Sequence, residues 1–405
     1  MEYARWLETP LRRQAASAKV RFVLGARQTG KSTLFRRLRR PTDLGFDLQE
    51  RSERMRLARD PEAFSRALLP PGRRRRHVFV DEVQRVPELL DEMQLLIDRH
   101  PGKFQFTVTG SSARRLRRRD ANLLPGRVHR HRLGPVCRWE QAGARAFEAL
   151  PPPRGTRPGE FPARSLEDML LFGSLPAAFV EGRDYPRTLE SYAEAYIEEE
   201  VLREAAARNL GHYGRFLELA ALESGRLVNL TKVSQASGVA VSTLQGFYGV
   251  LEDTLVGFRV PAFSHAGRAR VFRTPKLYFF DIGVRNAVAR LPLHPRLLAT
   301  EGGLLLEHWV ACELAVRIGY LGRGYRLSHW RTHDGAEVDL VLETPREALP
   351  IEVKYTTSPR PTDASGVERF IERYPRHARR GLVVCRCPRP EQLTRRVRAI
   401  PWSAL

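Results

Sequence analysis

The sequence predicts an α/β protein in three parts: a parallel sheet covered by helices, a mainly helical middle, and a smaller C-terminal α/β domain. Three observations predict it. A short apolar strand runs into G-x-x-x-x-G-K-S and then a helix within residues 22–35, FVLGARQTGKSTLF. A second apolar strand ends in Asp81-Glu82, 50 positions after Lys31 (81 minus 31). Near the C-terminus, a hairpin and the strand after it place two carboxylates and a lysine on one face of a sheet.

The first 20 residues read as a helix leading into the first strand, residues 22–24. Residues 25–32 then read as a phosphate cradle. Gly25 and Gly30 let the backbone turn tightly, so that successive N–H groups and the helix N-terminus converge on one anion. Ala26, Arg27, Gln28 and Thr29 form the loop between them. Lys31 can reach the β- and γ-phosphates of a nucleoside triphosphate, and Ser32, followed by Thr33, offers a hydroxyl to Mg²⁺. In its strand–loop–helix setting the pattern predicts ATP and Mg²⁺ as ligands. Lysine usage sharpens the point. The chain has six lysines (Lys19, Lys31, Lys103, Lys232, Lys276 and Lys354), and arginine supplies the other 62 of its 68 basic residues. A cradle sized for a compact ammonium does not simply accept a planar guanidinium.

Residues 44–48 read as a second strand and residues 60–69 as a helix. An RRRR run then enters the strand HVFV, residues 77–80. Downstream of a phosphate loop, the Asp-Glu that ends this strand places Asp81 to hold Mg²⁺ opposite Ser32, and Glu82 to polarise the attacking water as general base. Residues 84–99 form a helix with Leu89, Leu90, Met93, Leu96 and Ile97 at helical spacing. The next strand, FQFTV, ends in Thr109-Gly110-Ser111-Ser112, where a polar side chain can sense the γ-phosphate; Ser111 ranks ahead of Thr109. Arg127, in LLPGRVHRHRL, is a candidate arginine finger for a neighbouring subunit's site. The alternation of strands and helices implies nucleotide at the carboxyl ends of a parallel sheet. This domain is placed at residues 1–145, with the Pro/Gly-rich residues 146–165 as a flexible connection.

Residues 166–295 form the middle domain, helical to about residue 223. LVNLTKVSQASGVAVSTLQG then parses as a helix over 231–237, a turn at Gly238 and a second helix capped by Ser242, which is a helix-turn-helix. The segment FRVPAF…RARVFRTPKLYFFD reads as a β-wing. In a DNA-reading arrangement Ser242, Thr243 and Gln245 face the groove and Arg268 and Arg270 lie on the wing. The same unit can pack against protein, and the sequence leaves that choice open.

Residues 296–405 carry the second constellation. GGLLLEHWVACELAVR is an amphipathic helix with Glu307 inside its apolar stretch. YRLSHWRTHDGAEVDLVLE reads as a hairpin turning at Asp334-Gly335. On its second arm, strict alternation puts Val338, Leu340 and Leu342 on one face and Glu337 and Asp339 on the other. In PIEVKY, Ile351, Val353 and Tyr355 belong to the core and Glu352 and Lys354 to the opposite face. Asp339, Glu352 and Lys354 then converge: two carboxylates to bind Mg²⁺ and a lysine to steady developing charge or orient water. Glu307 can add a third carboxylate.

At 405 residues the chain holds two or three domains. No apolar run approaches the ~20 residues of a membrane span, and MEYARWLETPLRRQ carries no apolar signal core. The four cysteines form no paired CxxC pattern and suit the reduced thiols of a cytoplasmic protein. A net charge of +22, with basic clusters at residues 36–40, 73–76, 114–119 and 127–132, points to a polyanionic partner. Nucleic acid fits better than an anionic membrane, because no cluster flanks an amphipathic apolar helix.

With these motifs in place, the chain resembles a prokaryotic family of AAA-type ATPases joined to a C-terminal domain of unknown function, number 4143. The likeness covers nearly the whole length, through GARQTGKST, VFVDEVQRVPELL, TVTGSS, LPGRV, the helix-turn-helix, TPKLYFFDIG and WRTHDGAEVDLVLE…PIEVKY. It implies an AAA+ P-loop core, a winged helix, and a C-terminal domain similar to the PD-(D/E)XK, restriction-endonuclease-like fold. Val338 stands where that motif has Pro. Whether such a domain cuts is not implied. The expected function is a Mg²⁺-dependent ATPase, assembled as a ring such as a hexamer or another homo-oligomer, that works on duplex or branched DNA. The competing expectation is an ATP-controlled signalling or defence switch whose winged helix and C-terminal domain bind protein.

Overall fold

Strand–helix alternation in the first third of the chain closes into a five-stranded, all-parallel sheet in the order β2-β3-β4-β1-β5. The strands are β1 (Val20–Leu24), β2 (Leu44–Asp47), β3 (Arg76–Asp81), β4 (Phe104–Gly110) and β5 (Val128–Arg132). The structure, a computed structural model, describes residues 2–13, 20–111, 128–152, 156–204, 210–264, 274–322 and 324–405. Arg127, Arg268, Arg270 and the basic run at 114–119 lie outside the described residues. Two compact units emerge: Met1–Gly134 with Asp253–Leu255, and Pro135–Glu252 with Val256–Leu405.

In the first unit, the expected N-terminal helix begins only at Glu8, in α1 (Glu8–Arg13), with residues 14–19 outside the described ones, and α2 (Lys31–Leu38) follows the phosphate loop. The sheet and α5 (Leu89–Arg99) share one core. Val78, Val80, Phe106 and Val108 meet Leu89, Leu90, Met93, Leu96 and Ile97, all buried. Such burial contributes roughly 1.5–3 kcal/mol per large side chain. α5 begins later than the expected residue 84, because residues 83–85 form a single tight 3₁₀ turn. A helix that the sequence did not announce, α3 (Arg51–Arg59), precedes α4 (Glu62–Leu68). It buries Leu57 alone, so it carries no apolar stripe to read. β5, one edge of the sheet, is VHRHR with Arg130 and Arg132 exposed, so part of a basic cluster guards a strand edge against pairing.

The second unit takes in both the expected middle and C-terminal domains. The first compact unit ends at Gly134, ahead of the boundary expected near residue 145. Residues 146–165 are not a free connection: Phe147, Leu150 and Phe161 are buried, and Gly159 N–H donates to Trp139 O at 2.8 Å. No unit boundary falls near residue 295. A single core runs from Phe147, Met169 and Ile282 through Leu306 and Trp309 to Leu340 and Ile351. The middle helices are α6 (Leu166–Phe172), α7 (Tyr185–Glu204), α8 (Leu210–Leu222), α9 (Leu230–Ser237) and α10 (Val241–Asp253), followed by the β6 (Gly257–Val260) and β7 (Lys276–Phe279) hairpin. Gly238 adopts φ 71° between α9 and α10, as the turn requires. Ser242 is not a cap. α10 starts at Val241, and Thr243 and Leu244 N–H both donate to Ala240 O.

Beyond α11 (Ile282–Val288) and the long α12 (Arg296–Leu321), a six-stranded mixed sheet has the order β12-β13-β11-β10-β9-β8. Its strands are β8 (Arg326–Arg331), β9 (Glu337–Glu343), β10 (Ala348–Val353), β11 (Gly381–Cys385), β12 (Glu391–Gln392) and β13 (Val397–Pro401), with α13 (Ser365–Arg373) packed on it. The β8–β9 hairpin turns at Gly335, φ 86°. Strict alternation on β9 fails. Ser328 pairs with Val341 but Trp330 with Val338, so β9 carries one extra residue there, a bulge. Val338 and Val341 consequently join Trp330 and Phe370, whereas Leu340 and Leu342 join the core under α12.

Asp281 explains much of TPKLYFFDIG. Its carboxylate accepts Val284 N–H (3.0 Å) at the start of α11 and Ser174 N–H (2.7 Å), and an added Cβ on Gly283 would lie 2.2 Å from Phe172 O. Burial pushes the Asp281 carboxyl up to about 6, against these N–H donors. The unfolded carboxyl ionises near 3.8, so between the two values the folded state binds more protons and this group's contribution to stability falls as pH rises. Asp281→Asn is expected to remove that decline, about 3 kcal/mol at most, when unfolding of the two proteins is compared at about pH 4 and about pH 7.

Candidate functional site

β1 delivers its chain directly into the phosphate loop. Gly25 N–H donates to Gly110 O at 3.2 Å, and an added Cβ on Gly25 would lie 2.4 Å from Leu133 O. Only glycine fits that crossing. Gln28 (φ 59°) and Gly30 (φ 88°) turn the loop through the left-handed region, and Thr29 Oγ1 donates to Ala26 O at 2.8 Å. Ala26, Thr29 and Lys31 are buried, Arg27, Ser32 and Thr33 half-buried, and Gln28 exposed. Lys31 Nζ donates to Gly25 O (3.0 Å) and Ala26 O (2.9 Å) and lies 3.8 Å from Glu82 Oε1. Arg5, which the sequence did not single out, donates to Thr29 O at 2.6 Å and fixes the loop from outside.

The strand tips of β3 and β4 supply the rest. Asp81 takes a hydrogen bond from Thr109 Oγ1, and Thr109 Oγ1 in turn accepts Glu82 N–H at 2.8 Å. Glu82 holds φ 57°, ψ 47°, a left-handed conformation that costs a non-glycine residue energy and recurs at functional positions. Ser111 Oγ donates to Glu82 Oε2 at 3.0 Å, and Gln84 Nε2 donates to Ser111 Oγ at 2.8 Å and to the same Glu82 oxygen. Thr109 and Ser111 thus divide the strand tip: Thr109 orients Asp81, Ser111 orients Glu82. Gln49 is a second residue that no sequence motif points to. From the turn after β2, its Nε2 donates both to Ser32 Oγ (3.1 Å) and to Asp81 Oδ2 (2.9 Å). The hydroxyl and the carboxylate therefore meet on one donor, as they would on one cation.

The second unit gathers the carboxylates. Asp339, at the bulge, accepts Val353 N–H at 2.8 Å. Glu352 Oε1 pairs with Lys354 Nζ at 2.8 Å, while its buried Oε2 has no hydrogen-bond partner. Burial, then Glu307 and Glu352, raise the Asp339 carboxyl well above the usual range. Burial also raises Glu352, with Lys354 opposing. Glu307 approaches from α12, but one of its oxygens is taken by Lys276 and Tyr278 of β7. Among the described residues no three His, Cys, Asp or Glu side chains surround one point closely enough to hold a metal ion. Ser242, Thr243 and Gln245 are exposed on α10, whose other side buries Leu244, Phe247 and Tyr248. The four cysteines are free thiols, and among the described residues no helix is long and apolar enough to cross a membrane.

Residues 17–141 match the sequence profile of an AAA domain. Residues 163–294 and 302–405 match two domains of unknown function, DUF8612 and DUF4143. Uncharacterized proteins of Mycobacterium bovis and Mycobacterium tuberculosis are each 29% identical over 357 residues, covering 86% of this chain and 73% of theirs. A Walker-type ATPase of Pyrococcus abyssi, 16% identical, covers 70% of this chain and 95% of its own, with a TM-score of 0.45. The first unit is an AAA-type P-loop domain, and a DUF4143 region lies further along the same chain.

Proposed function

We propose that the chain is a Mg²⁺-dependent ATPase that works on duplex or branched DNA, with the C-terminal sheet as a nuclease-like module that binds it. The observation that carries the ATPase reading is the meeting of Ser32 and Asp81 on Gln49 Nε2 beside the Lys31 loop. Oxygen donors of a hydroxyl and a carboxylate suit a hard divalent ion, and Mg²⁺ held there would neutralise charge on the β- and γ-phosphates. Lys31 exchanges two loop carbonyls for phosphate oxygens. Glu82, held by Ser111 and Gln84, takes the proton of the attacking water. The net charge of +22 supports the DNA reading, as do the exposed first-turn side chains of α10 in a winged helix.

Gln49 competes with the cation for both oxygens. Gln49→Ala is expected to lower the Mg²⁺ concentration at half-saturation of a fluorescent ATP analogue several-fold, since each hydrogen bond removed is worth about 1 kcal/mol. The DNA reading is tested by binding of labelled duplex, forked and four-way DNA. Affinity should fall by orders of magnitude between about 50 and 200 mM salt, because phosphate contacts release counterions. A protein that leaves all three probes unbound at the lower salt lacks the proposed partner.

A further inference from the structure

The hairpin strand β7 contributes to the carboxylate cluster as well as to the middle helices. Lys276 Nζ lies 2.7 Å from Glu307 Oε1, and Tyr278 Oη donates to the same oxygen at 2.5 Å. Both side chains of the ion pair are largely buried, 15% and 19% exposed. Burial works against the ammonium, but Glu307, Asp339 and Glu337 outweigh it and hold Lys276 above the usual lysine range. On the far side, Lys354 holds one oxygen of Glu352 and leaves the other buried and unpartnered. Glu352 itself is 7% exposed. Two ammonium groups thus pair with carboxylates of this cluster, Lys276 with Glu307 and Lys354 with Glu352. The oxygens differ: that of Glu307 already has two donors, whereas Glu352 Oε2 has none.

We infer that Lys276 is the resident cation of this cluster, standing where a divalent ion shared by Glu307 and Asp339 would otherwise sit, so that divalent binding is confined to Asp339 and Glu352 Oε2. Glu307 is then a positioning residue that fixes Lys276, and not a metal ligand. The arrangement takes a single divalent ion and presents a fixed ammonium beside it. The ligand it would suit is a phosphodiester, whose negative charge the ammonium and a divalent ion held by Asp339 and Glu352 would share. This rests on the reading of Asp339 and Glu352 as a metal site, and the test separates the two.

Mn²⁺ binding is titrated by electron paramagnetic resonance on the full chain in an Asp81→Asn background without nucleotide, so that the ATPase site is not counted. The parent should bind one Mn²⁺, lost in Asp339→Asn. Lys276→Met should bind Mn²⁺ at least tenfold more tightly or take up a second ion, because Glu307 is released. Lys276→Met/Glu307→Gln, a neutral pair of similar size, should return to one ion. Should Lys276→Met fail to unfold cooperatively, Glu307→Gln decides: affinity within about twofold of the parent supports the assignment, and a tenfold loss makes Glu307 a ligand and overturns it. Unchanged number and affinity in a folded Lys276→Met overturns the role of Lys276 while leaving the metal site intact. No Mn²⁺ in any variant overturns both.

Discussion

Glu82→Gln is expected to bind ATP as the parent does and to lose turnover by a factor of about 10²–10⁴, the range of a general base. The carboxylate that takes the water's proton becomes an amide that cannot. The surrounding geometry survives, because the residue's N–H still reaches Thr109 Oγ1 and its side-chain oxygen still accepts from Ser111 and Gln84. Lys31, whose Nζ lies 3.8 Å from Glu82 Oε1, keeps its place in the loop through two carbonyls. The comparison is a fluorescent-ATP titration beside a phosphate-release assay. Unchanged turnover removes Glu82 from the mechanism.

Asp339→Ala is expected to abolish any metal-dependent DNA cleavage while leaving basal ATP turnover untouched, since Lys31, Ser32, Asp81 and Glu82 all lie in the first unit. Asp339 is held by Val353 N–H and sits buried beside the charges of Glu307 and Glu352, so its loss removes a side-chain hydrogen bond between β9 and β10 as well as the proposed ligand. Gel assays on duplex and four-way DNA with Mg²⁺ and Mn²⁺, run beside phosphate release, read both effects. A parent protein that never cleaves with either metal makes the C-terminal sheet a binding module.

The phosphate loop was legible because its chemistry and its fold need the same residues in one short window. Gly25 lets the chain pass Leu133 O, Gly30 turns it, and Lys31 and Ser32 follow on the helix. Asp81, Glu82, Ser111 and Thr109 were legible for a related reason, as strand tips of a parallel sheet lie side by side. Gln49 was not. It ends a turn after an edge strand, in a stretch without a motif, and it reaches Ser32 and Asp81 only through pairing of β2 with β3. Lys276 was visible as one of six lysines, but it lies on strand β7 and its partner is 31 positions away on helix α12. Alternation misplaced Val338 relative to Leu340, because a bulge adds a residue that no periodicity announces. Proline and glycine counts suggested a linker at 146–165, where Phe147, Leu150 and Phe161 anchor the chain instead.

The central claim is that ATP hydrolysis in the first unit is coupled to polynucleotide. The most direct test is the steady-state ATPase rate with and without duplex, forked and four-way DNA at two salt concentrations. DNA-dependent stimulation that disappears steeply as salt rises is the expected result. Steady ATP consumption that ignores DNA of every structure at moderate ionic strength would contradict it.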